Sequence, residues 1–493
     1  MGPNWTSSLE LAIRLINWSL TWQLLGGLES PLFREAEHLD FRARWLESIY
    51  RHAHFIKGHL SRYSSANNHL IGEAAGLFVG GVTWPYWEEI RKWGNAAKAI
   101  LEEEALKQNG QDGVHWEQAV SYQQFVLDFL IISGLAGRAN GMEFSAAFWR
   151  RIEAMLEYLA SIMDCRGNVP MIGDADDGYV VRLSREEGFC PYRSLLATGA
   201  VLFGRAEFKA KAGRLDGKTR WLLGEGAEEE FSRIPELAAP PQPVRRAFPD
   251  GGYYILGKDF GTEEEVLCIV DCGPLGYLSI AAHGHADALA IYLSVAGREF
   301  LVDPGTYAYH TKKEWRDYFR GTSAHNTVRI DGENQSVIGG NFMWTRKAEC
   351  RCDAFELGED EDLFSGRHDG YERLRDPVVH RREIRYLKRE GEIIVTDTLE
   401  CKGSHTVERF WHFAEDCRVA LRNHTVLAEN HGVKVVLESP GTEGEVRVYR
   451  GDDRIPLGWV SRRFDVKVPT ATALWRTRIG GRCRLTTIIT VRQ

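Results

Sequence analysis

The spacing of apolar positions divides the chain in two. Over residues 7–25 (SSLELAIRLINWSLTWQLL) apolar side chains recur at helical intervals, and Gly26-Gly27 stops the run. The same period predicts helices over about 37–60, 66–79, 85–107, 116–135, 142–163 and 191–204, joined by short Gly, Pro and Asn turns. That is the pattern of antiparallel helix pairs. After residue 235 it breaks: PELAAPPQPVRRAFPDGG carries Pro235, Pro240, Pro241, Pro243 and Pro249 and reads as a connection between domains. Beyond it, alternate residues are apolar in GYYIL, EVLCIVD, ALAIYLSV, EFLVD, NTVRID, REIRYLKR, GEIIVTDTLE, TVERFWHF, GVKVVLE, EVRVYR and CRLTTIITV. Short runs of period two between Gly, Asp and Asn turns predict a large antiparallel β-sandwich. The expectation is a multidomain α+β chain: all-α over 1–235, a linker over 236–250, and all-β over 251–493.

Composition adds limits. The 493 residues, 44% hydrophobic and 26% charged, suit two large domains with ample cores. A formal charge of −8 argues against a nucleic-acid binder and gives no general attraction for polyanions. No run reads as a membrane span, and MGPNWTSS lacks the basic and apolar regions of a signal peptide, which taken literally describes a cytoplasmic chain. The first residues nevertheless enter a helix directly, as though the chain began inside a domain, which leaves open a missing amino-terminal portion with its export signal. The nine cysteines are scattered, form no four-ligand zinc pattern and read mostly as small buried hydrophobes. Trp84, Trp87, Trp93 and Trp116 read as core, or as sugar-stacking surfaces if they line a concave rim.

Chemistry concentrates in AAHGHADALAIYLSVAGREFLVD at 281–303 and SAHNTV at 323–328. On a β-strand His283, His285 and Asp287 would all project from one face. Asp303 ends a second apolar run and His325 opens another strand. His285, Asp303 and His325 form a nitrogen and oxygen donor set for zinc or a similar divalent ion, against the reading of each histidine as a hydrogen-bonded structural residue. In the helical half Asn67, Asn68 and His69 precede a small-residue helix, either as N-cap residues or as polar heads facing a carboxylate with the helix dipole behind them. Glu73, one turn on, is placed to orient the His69 imidazole. Glu117, Gln118 and Tyr122 are expected on the first turns of an apolar helix, where Tyr122, flanked by Ser121, Gln123 and Gln124, is less apolar in context than a core tyrosine. GDADDG at 173–178 reads as a turn or cation-binding loop without the length or terminal glutamate of an EF-hand.

These segments resemble the heparinase II/III family of polysaccharide lyases, to which related alginate lyases are also similar. The resemblance rests on NNHL at 67–70, DGVHWEQAVSY at 112–122, GDADDG at 173–178, HGHADALAIYLSVAGREFLVDPGTYAY at 283–309 and FRGTSAHNTVRIDGENQS at 319–336. It implies an incomplete (α/α) toroid followed by an antiparallel β-sandwich, and eliminative cleavage of uronic-acid-containing polysaccharides in the periplasm or outside the cell. By resemblance Asn68 and His69 neutralise the uronate carboxylate and Tyr122 is the Brønsted base or acid. His283 is the second proton-transfer group, and His285, Asp303 and His325 hold a structural divalent ion of the zinc type. No organic cofactor, nucleic acid or membrane partner is implied. Two departures stand out: relatives begin their helical domain earlier, and Gln123 occupies a position where relatives often carry His.

The chemistry asks for these residue types. Elimination removes the C5 proton of a uronate and expels the C4 oxygen, so the neighbouring carboxylate must be neutralised as the enolate forms, a task for amide and imidazole donors. A phenol with an ordinary pKa of about 10 needs assistance to act as a base, whereas an imidazole near 6.5 needs little. The site is expected in the cleft between the two halves. Two other readings remain open: an (α/α)-toroid glycoside hydrolase using Asp174, Asp176 or Glu117 as its carboxylates, and a carbohydrate-binding or assembly protein that kept the fold without turnover. Lys312, Lys313, Arg316, Arg320 and Arg346 would suit a sulfated chain, but the overall acidity suits a less charged uronate polymer equally.

Overall fold

The structure is a computed structural model that describes residues 5–441 and 444–492. Its first half is helical: α1 (Ser8–Leu24), α2 (Pro31–Arg34), α3 (Leu39–Gly58), α4 (Asn68–Thr83), α5 (Glu88–Lys107), α6 (Val120–Ala139), α7 (Ala146–Ile162), α8 (Pro191–Phe203), α9 (Ala206–Ala212), α10 (Gly217–Leu223) and α11 (Ala227–Arg233). The longer helices fall within a few residues of the expected ranges, and α9 to α11 were too short for periodicity to find. Their ends follow local chemistry. The Asn67 side chain accepts from the His69 N–H and caps α4, Ser145 caps α7, Asp216 caps α10, and Pro191 starts α8, which Gly204 ends in the left-handed conformation.

Helix α4 is the axis of this half, buried along nearly its whole length and packed on α1, α5 and α6. Its glycines permit that approach: a Cβ on Gly76 would come within 2.5 Å of the Ala12 Cα on α1. The resulting core includes Leu15, Phe78, Trp84, Leu130, Phe148 and Leu196. Helix α6 is long and apolar enough by composition to cross a bilayer, which the sequence reading passed over, yet 83% of its apolar window is buried here. Trp84 is fully buried, and the half-buried Trp87 and Trp93 pack against Tyr50 at the edge of the same core, which supports the core reading for these three; Trp116 is half-buried and outside that core. The arrangement is an incomplete (α/α) toroid.

The second half is antiparallel β-structure. Strands β1 (Ala247–Phe248), β2 (Tyr253–Lys258), β3 (Val266–Asp271), β4 (Ile291–Val295) and β5 (Arg298–Leu301) form one five-stranded sheet in sequential order. A ten-stranded sheet is built around two long strands, Glu392–His412 and Ala471–Arg492. The runs GEIIVTDTLE and TVERFWHF are thus one strand rather than two, bent by a register shift between Glu400 and Ser404. Cys350–Leu357, Glu361–His368, Arg418–Arg422 and Thr425–Asn430 are further strands that the alternation did not disclose. The two sheets enclose a core containing Ile269, Leu293, Tyr386, Trp411 and Ile489, the sandwich layer. Among the described residues all nine cysteines are free, with Cys268, Cys272 and Cys417 buried and the rest half-buried.

Toroid and sandwich are tied by hydrogen bonds. Asp112 accepts from the Gly251 N–H at 2.9 Å, Tyr253 donates to Gln118 at 2.8 Å, Glu265 accepts from the Cys165 N–H at 2.7 Å, and Ser294 donates to Asp164 at 2.7 Å. The segment 172–178 runs through this junction. Gly173 has a φ of +71°, and a Cβ there would lie 2.3 Å from the Gln118 carbonyl oxygen, so a side chain at this position would push the loop out of the junction.

Candidate active site

Residues from both halves meet where 172–178 crosses between them. The His283–Asp287 stretch is not a strand: β4 begins only at Ile291, and residues 281–290 form turns. The turns spread the three side chains. His283 meets Tyr122 and Glu117 of the helical half, Asp287 joins Asp303 and His325 of the sandwich, and His285 stands between, with Asp174 on Nε2 and the His325 ring beside it. Alternation alone would have put them together.

Asp174 is the centre of the first group. It is fully buried, and the guanidinium of Arg316, on α12 (Lys313–Phe319), donates to both its oxygens. Asp174 also lies 3.1 Å from His283 Nδ1 and 3.0 Å from His285 Nε2, and its own N–H donates to the His283 carbonyl. Burial would raise its carboxyl, but Arg316 and the two histidines outweigh that and hold it well below the usual range. His283 responds in the opposite sense: burial lowers it, yet the Asp174 hydrogen bond and the nearby Glu117 carboxylate leave it above the ordinary imidazole value. The Tyr122 ring stacks on His283 with centroids 3.9 Å apart.

The Tyr122 hydroxyl donates to Asp176 at 3.2 Å and lies 3.1 Å from the Tyr309 hydroxyl. Burial, then Asp176 and Asp174, push its phenol well above the usual range despite the histidine beneath it. As a base this phenol would need assistance; burial and the Asp176 and Asp174 carboxylates outweigh the Tyr309 hydrogen bond, so it rests protonated. Phe342, at the tip of the hairpin Val337–Gly340 and Met343–Arg346, packs 5.8 Å from His283 and 4.9 Å from Tyr309. Arg316 and Arg320 pin that tip by donating to the Asn341 carbonyl at 3.0 Å each.

Asn68 and His69 lie at the start of α4, and Asn67 rather than Asn68 is the cap. The Asn68 amide donates to Glu117 at 2.9 and 3.0 Å, and its buried Oδ1 has no partner among the described residues. Glu117 and Gln118 precede α6 instead of opening it, because Gln118 adopts a φ of +54°. That turn brings Glu117 to 3.0 Å from His115 Nε2 and 3.4 Å from His283 Nε2. Burial opposes ionisation of Glu117, but His115, His283 and Asn68 hold its carboxyl down at about 2. Glu73 does not orient His69: it accepts from Ser61 N–H and Oγ at 2.6 and 2.8 Å. His69 is half-buried, and burial lowers its pKa more than Glu117 raises it.

The second group is His285, Asp287, Asp303 and His325, all buried, whose donor atoms lie within 4.8 Å of one another. His325 Nδ1 lies 3.1 Å from Asp303, and the His285 and His325 rings are 5.2 Å apart. His285 Nδ1 and His325 Nε2 have no hydrogen-bond partner among the described residues. Asp271, Asp287, Asp303 and His325 line a cavity of about 20 Å³, room for one small occupant. Burial and then mutual repulsion push Asp287 well up, and burial and Asp303 push Asp271 up to about 7. Two orphaned imidazole nitrogens facing crowded carboxylates fit a divalent cation by donor chemistry. Asp287 belongs with the other three by position, although the sequence set named only His285, Asp303 and His325.

Asp174 was legible as part of an acidic turn and as a candidate hydrolase carboxylate, and Arg316 as a groove cation, whereas it is buried against Asp174; Tyr309 and Phe342 carried no signal as site residues. Residues 240–493 match the family model described as "Heparinase II/III-like, C-terminal" and residues 3–187 match "Heparinase II/III N-terminus". The chain therefore belongs to the heparinase II/III family. It is 23% identical over 414 residues to a heparin-sulfate lyase of Pedobacter heparinus, covering 83% of this chain and 54% of that protein. With a heparin-sulfate lyase of Bacteroides stercoris the figures are 25% over 333 residues, 66% and 43%. The chain spans about half the length of the curated relatives it matches. Its fold is that of a crystal structure of heparinase III (TM-score 0.76, 18% identity, 98% of this chain and 69% of that one) and of the heparan sulfate lyase from Pedobacter heparinus (TM-score 0.70, 18% identity, 99% and 68%).

Proposed function

We propose that the protein is a polysaccharide lyase that cleaves a uronic-acid-containing chain by β-elimination. The observation that carries this is the Tyr122–His283 stack, with Asp174 on the far nitrogen of the histidine and Asn68 and His69 alongside. Asp174 holds the His283 proton on Nδ1, which leaves Nε2 as the acceptor of the C5 proton. Tyr122, protonated at rest, donates to the departing C4 oxygen. Asn68 and His69, at the positive end of α4, hydrogen-bond the uronate carboxylate as charge spreads into it. Glu117 orients the Asn68 amide for this contact. His285, Asp303 and His325, with Asp287 beside them, would hold the divalent ion, whose positive charge would offset the crowded carboxylates and fix the turn carrying His283.

The relatives named heparin-sulfate lyases support a glycosaminoglycan-type substrate. The hydrolase reading loses support for Asp174 and Glu117 as the acid, because that role needs a carboxyl held protonated and both are shifted down. The test is ultraviolet absorbance of the unsaturated uronate product on a panel of heparan sulfate, heparin, hyaluronan, alginate and bacterial capsule. A rise with one polymer establishes elimination and its substrate. Reducing ends without that chromophore would establish hydrolysis instead, and neither product would leave a binding protein.

A further inference from the structure

We propose that Cys401, His405 and Asp376 form a second metal site, for a zinc-type divalent cation, built from residues that take no part in the cleft. The site lies where the long strand Glu392–His412 slips register against Ala471–Arg492, between Glu400 and Ser404. Such a bulge re-aims side chains, and here it brings Cys401 and His405 to one spot beside the loop that carries Asp376. A sulfur, a ring nitrogen and a carboxylate oxygen from the three residues lie within 4.8 Å of one another.

The surroundings are those of a ligand set. His405 Nε2 is 2.9 Å from Asp376 Oδ2, while His405 Nδ1 is 2.6 Å from Asp331 Oδ2. A carboxylate on the far nitrogen fixes the ring tautomer and leaves the near nitrogen as a donor to a metal, the usual partner of a ligating histidine. Asp331 is itself held: its φ is +51°, and its other oxygen accepts from the Thr406 N–H at 2.8 Å. Asp376 is anchored by the N–H groups of Lys402 and Gly403. Among the described residues, the hydrogen-bond partners of Cys401 Sγ are the carbonyls of Gly403 and Gly481, at 3.4 and 3.2 Å.

Thiolate, imidazole and carboxylate make three of four tetrahedral positions, and the half-buried setting of Cys401 and Asp376 leaves the fourth to water. Sulfur selects zinc, cobalt or cadmium over magnesium or calcium. Binding displaces the Cys401 thiol proton and any proton on His405 Nε2 to solvent. The ion would clip together the turn after strand Val328–Ile330, the loop bearing Asp376 and the bulge of the long strand. The rival arrangement is a metal-free imidazolium between two carboxylates, in which Cys401 does nothing.

Cobalt separates the two. The full chain, stripped with chelator, is titrated with Co²⁺ while the thiolate-to-cobalt charge-transfer band is followed. The cluster around His285 contains no sulfur, so it contributes no such band. Expected is a saturable band in the wild type and in His325→Ala, displaced by zinc and absent from Cys401→Ser and from His405→Ala. Asp331→Asn should keep the band but weaken cobalt binding about 10- to 100-fold. No band at saturating cobalt in the folded wild type, or a band undiminished in folded Cys401→Ser, overturns the proposal.

Discussion

Asp174→Asn is the most informative single change, because one carboxylate serves structure and chemistry at once. The substitution keeps the shape of the side chain and removes its charge. Arg316, also fully buried, then faces a neutral amide. Removing one partner of a buried ion pair costs about 3–5 kcal/mol, set against a total stability of about 5–15 kcal/mol. The variant should therefore fold, with a clearly lower urea midpoint. The chemical effect is separate. The new amide nitrogen donates to His283 Nδ1 and forces the imidazole proton onto Nε2, the atom that must accept the C5 proton. Turnover should fall by about 10²- to 10⁴-fold at the wild-type optimum. The pH profile carries the sign. His283 stands above its ordinary value of 6.5, so as a base it gains activity only as pH rises through that elevated value. Without Asp174, burial acts with less opposition, and the acidic limb moves to lower pH. The assay is initial-rate product absorbance across pH, beside urea unfolding of the same samples. A variant with the expected stability loss, undiminished turnover and an unmoved limb would show that Asp174 is only structural.

Tyr122→Phe keeps the ring stacked on His283 but removes the donated proton; turnover should drop about 10²- to 10⁴-fold with little change in KM, and a retained kcat would refute the assignment. Glu73, raised from 4.5 to about 7 chiefly by burial, binds its proton more tightly folded than unfolded, so stability should fall as pH rises from about 4.5 to about 7. That slope is worth at most about 3.5 kcal/mol at roughly 1.4 kcal/mol per unit, and Glu73→Gln should flatten it in urea melts taken at each pH. His325→Ala should remove the stabilisation that a bound divalent ion gives, about 2.7 kcal/mol at an ion concentration one hundred times its Kd. Equal unfolding midpoints with and without chelator in the wild type would refute a resident ion there.

The sequence by itself determined which kind of element forms where, because apolar period, caps and breakers are local properties. The Asn67 cap, the Pro191 start of α8 and the apolar runs within the long strands follow from neighbours in the chain. Short helices and half-exposed strands such as Cys350–Leu357 carry too few apolar positions for a period to register. The motif residues Tyr122, His283 and His325 were legible as polar groups in unusual settings, and resemblance supplied their roles. Their partners were not legible. Arg316 meets Asp174 across 142 residues of sequence, and Tyr309 meets Tyr122 across 187. Only packing of the sandwich against the toroid closes those gaps, through a turn at 281–290 that alternation had written as strand. The sequence also places Glu73 one turn from His69, yet its carboxyl turns to Ser61, whose N–H and hydroxyl both donate to it. Charge states were decided last. Tyr122 is a protonated phenol because it is buried beside Asp176 and Asp174, and His283 is a raised imidazole because the buried Asp174 and Glu117 outweigh its own burial; that balance exists only once water has been excluded from the junction.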